Sequence, residues 1–93
     1  KLIGEAPETG ELKTIENLAL SVLGVLSIHK VNVHDYGSYK EVSLHIQVED
    51  SLTLIKAHDI SEEVERTIEK NIDSKAIVHV EPSVIPNRSE VAL

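Results

Sequence analysis

Apolar residues recur every three or four positions early in the chain, at Leu12, Ile15, Leu18, Ala19, Val22 and Leu23. That spacing predicts a helix over about 11–22 with one apolar stripe, stopped by Gly24. The period then changes. Ile28 to His34 alternates weakly and reads as a strand, and Asp35-Tyr36-Gly37-Ser38 reads as a turn. Glu41 to Val48 alternates cleanly, with Val42, Leu44, Ile46 and Val48 inward and Ser43, His45 and Gln47 outward. Two such runs across a short turn predict a hairpin. Helical spacing returns after Glu49-Asp50 and runs to about Asn71, with Ser51 or Thr53 as candidate N-cap. Ala57, Ile60, Val64, Ile68 and Ile72 form its buried stripe. Glu62, Glu63, Glu65, Arg66, Glu69 and Lys70 form its wet face, where the acidic groups read as plain solvation. Lys75 to Glu81 is a third strand, halted by Pro82.

The predicted order is helix, strand, strand, helix, strand. A crossover from the second strand to the third through a helix implies parallel pairing with right-handed topology, and it lays the helices on one sheet face. The other face, carrying His45, His79 and Glu81, is left open to solvent or to a partner. Residues 1–10 read as a leader, 11–82 as the domain and 83–93 as a flexible tail. Opening on Lys1, the sequence reads as a piece of a longer chain.

Composition sharpens this picture. In 93 residues the apolar share is 41% but the aromatic share only 2%, both residues being Tyr in the turn region. The core must therefore be aliphatic. A domain this small buries only about 60–65% of its unfolded surface, which favours further burial at a subunit contact. With 16 acids against 9 bases the net charge is −7. Such a surface repels nucleic acid and anionic membranes and attracts divalent cations. Cysteine is absent, so disulfides and thiolate metal sites are excluded. The longest apolar run, Leu18 to Leu26, is broken by Ser21 and Gly24 and is too short to span a bilayer.

The candidate chemistry lies in the five histidines, His29, His34, His45, His58 and His79. His79 and Glu81 are two apart on one strand, hence on one face and roughly 7 Å apart. His45 occupies the corresponding face of another strand. If those strands are neighbours, the three converge as an imidazole–imidazole–carboxylate set suited to zinc, iron(II), manganese or nickel. The plainer reading is three solvated polar residues on an exposed face. His58 sits at the edge of the second helix's buried stripe, where a lone His is more often a boundary residue than a ligand. Strict alternation from Val31 and Val33 turns His29 inward and His34 outward, unless His29 precedes the regular strand. Catalysis has little to stand on, because no nucleophile elbow, phosphate loop or HExxH motif is present.

Five pieces in order, KLIGEAP, Gly24 to His29, Val42 to Val48, Ala57 to Glu65 and Val78 to Pro82, resemble the C-terminal cytoplasmic domain of the cation diffusion facilitator transporters. The resemblance covers roughly residues 2–82. It implies an α+β fold, an αββαβ two-layer sandwich of the metallochaperone-like or ferredoxin-like type, with both helices on one face of a three-stranded sheet. It implies a homodimer on the cytoplasmic side of a membrane, attached to its own transmembrane domain, that binds divalent metal and controls transport. It points to His29, His45, His58, His79 and Glu81 as metal ligands and to zinc first, with iron, manganese, cobalt or nickel as alternatives. His29 is thereby favoured over His34. Zinc-exporting members often carry Asp where this chain has Glu81, which puts a bridging two-metal arrangement in doubt. The same element order also suits a regulatory module that binds a small ligand or a protein without metal.

Overall fold

The computed structural model describes residues 9–83. The leader expected over 1–10 and the tail expected over 83–93 therefore fall largely outside the described residues. Five elements follow in the order α1 (Thr9–Leu20), β1 (Ser27–Asp35), β2 (Lys40–Val48), α2 (Leu54–Asn71) and β3 (Ser74–Pro82). This is the αββαβ order read from the sequence. The sheet order is β1-β2-β3, with β1 antiparallel and β3 parallel to β2.

β2 is the middle strand, so its inward row is covered from every side. Val42, Leu44 and Ile46 are fully buried and Val48 almost so. Ile15 and Ala19 from α1, Val22 from the turn after it, Val64 and Ile68 from α2, and Ala76 from β3 close the core around them. Each Val, Leu or Ile among them contributes about 1.5–3 kcal/mol on full burial, and the two alanines less. Both helices therefore lie on one face of the sheet, and the other face is left uncovered. α2 starts where Thr53 accepts a hydrogen bond from the Lys56 amide at 3.1 Å, which selects Thr53 over Ser51 as its N-cap.

The expected apolar stripe of α1 needs one correction. Leu23 is 94% exposed. The helix ends at Leu20, and the chain turns at Gly24 with φ of 105°. A Cβ there would lie 2.6 Å from Ile60 Cδ1, so Gly24 permits a backbone approach to α2 that leaves Leu23 outside. A second correction concerns the acidic face of α2. Its Glu69 and Glu65 carboxylates accept the Ala76 and Val78 amides of the edge strand β3, at 2.8 and 3.2 Å. These amides point away from β2, and the helix supplies the acceptors that a neighbouring strand would otherwise give.

Candidate metal centre

The register of the sheet assembles a row of imidazoles. His29 stands opposite His45, and His45 opposite His79, so each strand donates one histidine. The rings stack, with centroids 5.4 Å apart for His29–His45 and 4.7 Å for His45–His79, tilted by 23° and 25°. All three project from the uncovered face, because residues opposite one another in a ladder share a side of the sheet.

Glu81 lies one step further along the face, opposite Gln47. Its carboxylate bridges two of the rings. Oε2 accepts from His45 Nδ1 at 2.5 Å, and Oε1 stands 3.1 Å from His29 Nε2. The extra methylene of Glu over Asp gives the side chain the reach to span from β3 to β1. A carboxylate can only accept, so the shared hydrogen on the shorter contact sits on His45 Nδ1. That bond holds the Glu81 carboxyl below the usual carboxylate value, against the opposing effect of partial desolvation, with His29 and His45 adding electrostatic help.

One ligand atom each from His29, His45 and Glu81 lies within 4.8 Å of the other two. A tetrahedral zinc with bonds of about 2.0–2.1 Å separates neighbouring donors by roughly 3.3 Å. Small side-chain rotations close that difference. The three groups are half-buried, so they are partly desolvated yet reachable from solvent. Two imidazole nitrogens and one carboxylate oxygen, with room for water or a further ligand, form a donor set that fits zinc, iron(II) or nickel.

The other expected ligands lie differently. His79 stacks on His45 but stands outside the three-ligand group. His58 projects to solvent from α2, where Nε2 lies 3.2 Å from Glu62 Oε2 one helical turn on. It is therefore an exposed residue rather than one at the edge of the buried stripe. His34 faces the same side as His45 but stands opposite Glu41, four residues from His45 along β2, or about 13 Å. Its ring stacks instead beside Tyr36, with centroids 6.2 Å apart.

The inward direction that alternation assigns to His29 is overturned. Between His29 and Asn32 the ladder carries a β-bulge in which Lys30 and Val31 together oppose Leu44. Lys30 takes a left-handed φ of 55°, the only non-glycine among the described residues with positive φ. The bulge shifts the alternation by one residue and turns His29 outward. No glycine marks it, but the sequence holds a trace. Ile28 is out of phase with Val31 and Val33, and all three pack against the core only if one residue between them is taken up.

Comparison with known proteins places the chain clearly. A family model described as the cytoplasmic domain of cation efflux protein matches residues 7–83. The cation-efflux pump FieF of Escherichia coli (strain K12 / DH10B) is 30% identical over 91 residues, which is 96% of this chain and 30% of the pump. FieF of Salmonella arizonae is 31% identical over 87 residues, covering 91% of this chain and 29% of that protein. The chain thus spans less than a third of the length of these relatives. Among solved structures, a doubly substituted variant of the MamM CTD superposes with a TM-score of 0.76 at 22% identity, covering 82% of this chain and 94% of that one. A nickel form of another MamM CTD variant gives 0.77 at 20% identity, covering 83% and 100%. At that identity the likeness establishes the αββαβ fold.

Proposed function

Because the chain belongs to the cation efflux protein family as its cytoplasmic domain, we propose that it is the regulatory domain of a divalent-cation efflux transporter, which binds the cation at His29, His45 and Glu81 and dimerises. The family is one of transporters and not a class of enzyme. No helix among the described residues is long and apolar enough to cross a membrane. The observation that carries the reading is the convergence of two imidazole nitrogens on one carboxylate, on the sheet face that the helices leave bare. Zinc heads the candidates because two imidazoles and one carboxylate with an open position match a common four-coordinate zinc ligand set. The nickel form of a MamM CTD variant supports divalent binding in a domain of this fold.

The mechanism follows from charge and geometry. Bringing two acidic chains together costs electrostatic repulsion, and a cation held at the open face relieves it. His79 sits beside the site and is available to complete the coordination shell from the same chain, whereas His58, exposed on the helix side of the sheet, could serve only from a second copy. Leu23, 94% exposed, and Leu54, 89% exposed, together with Leu20, Leu26 and Ile55, leave apolar surface that a second copy would cover. A cation that binds one dimer geometry more tightly shifts the population toward it. The transmembrane portion attached to each domain is thereby biased.

The test is thermal melting with and without zinc. A ligand that binds only the folded state at a hundred times its Kd stabilises by about 2.7 kcal/mol. The expected outcome is a zinc-dependent rise in Tm that His45→Ala removes, with affinity falling as pH drops from 7.5 to 5.5 because imidazole must be neutral to coordinate. A melting curve indifferent to zinc, with small-ligand or protein binding at the same face, would instead favour the metal-free regulatory module.

A further inference from the structure

A ladder without the bulge would place a different residue at the site. Counting back from the Asn32–Ser43 pair, regular pairing sets Val31 opposite Leu44, Lys30 opposite His45 and His29 opposite Ile46. Ile46 is fully buried in the core, so His29 would point among the aliphatic side chains. The bulge at Lys30–Val31 replaces this arrangement. It absorbs one residue, sets His29 opposite His45 and returns Ile28 to the core side opposite Ile46. Bulges recur beside functional sites because they re-aim a side chain. Backbone held in a sparsely populated region points the same way, from an observed outlier to a role.

We propose that the Lys30–Val31 bulge is a positioning device of the cation site, with the left-handed backbone of Lys30 delivering His29 to the ligand face. This rests on the reading of His29, His45 and Glu81 as cation ligands. Lys30 is not one of the three ligands and acts through the direction of β1. The bulged register is the binding-competent one, and the regular register lacks one ligand. Any change that disfavours a left-handed backbone at position 30 lowers the competent fraction and weakens apparent affinity by that fraction. Glycine adopts this backbone freely, whereas a β-branched residue resists it. Removal of Lys30 leaves no residue to absorb, so a regular ladder again pairs His29 with His45.

The experiment measures zinc affinity of the 93-residue chain by calorimetry, alongside contacts between the His29 and His45 rings by NMR without metal. Lys30→Gly and the deletion of Lys30 should bind within about threefold of the parent, and Lys30→Val should bind roughly threefold or more weakly. In a His29→Ala background Lys30→Val should change affinity no further, because the ligand it positions is gone. Equal weakening by Lys30→Val with and without His29 would reduce the bulge to general stability and overturn the proposal. So would a deletion variant that folds yet binds as poorly as His29→Ala. If Lys30→Val fails to fold, the deletion and Lys30→Gly still decide. If the parent itself takes up no zinc, the cation reading fails separately. The ring contacts then still report the bulge, being kept in the deletion variant if it positions His29 and lost if it does not.

Discussion

Glu81 is the residue on which the site turns. Its two oxygens reach two strands away to His29 and next door to His45. A carboxyl group held below its ordinary value, 4.5, by native partners adds stability that is present above that value. The contribution is lost as pH falls through the lower folded value. Glu81→Gln should therefore be less stable than the parent near pH 7, with the gap narrowing below pH 4.5. Urea denaturation at pH 7 and at pH 3 checks this, and a gap of constant size would contradict it. At this scale the sequence was partly legible. The faces of His45, His79 and Glu81 followed from a period of two, because β2 and β3 carry no irregularity. His29 was not legible from alternation, because a lysine, not a glycine, occupies the left-handed position. His79 was placed on the correct face, but only coordinates could show that its ring stacks on His45 while the carboxylate reaches past it to His29.

The elements were readable because their boundaries are written in local chemistry. Thr53 caps α2, Gly24 ends the α1 stripe, and the Asp35–Gly37 turn is closed by the Gly37 amide on Asp35 Oδ1 at 2.9 Å. The edge of the sheet was not readable, because a helical glutamate looks the same in sequence whether it meets water or a strand amide. Glu69 meets the Ala76 amide, and hydrogen bonds to charged groups contribute about 1.5–3 kcal/mol. Glu69→Ala should destabilise the fold by about 1–2 kcal/mol. It should also raise the tendency of β3 to pair with another chain, since its Ala76 amide would be freed. Denaturation midpoints test the first effect and light scattering at high concentration the second. Glu63→Ala, which removes a solvent-exposed pair with Arg66, should change stability far less than Glu69→Ala and serves as the control.

For the whole molecule, an aliphatic core of modest size, an uncovered sheet face and exposed Leu20, Leu23, Leu26, Leu54 and Ile55 support the proposed dimer. If this apolar surface is the dimer contact, Leu23→Asp combined with Leu54→Asp should yield monomers that keep their secondary structure. Sedimentation velocity would show it, and an unchanged dimer would move the contact elsewhere. The overall architecture was legible because the βαβ crossover leaves few arrangements for three strands and two helices. The central claim is that His29, His45 and Glu81 hold a divalent cation. It is tested most directly by anomalous diffraction from crystals of the chain grown with zinc. The account predicts a peak about 2.0–2.2 Å from a nitrogen of His29, a nitrogen of His45 and an oxygen of Glu81. A peak bound only elsewhere, or none at saturating zinc, would contradict it.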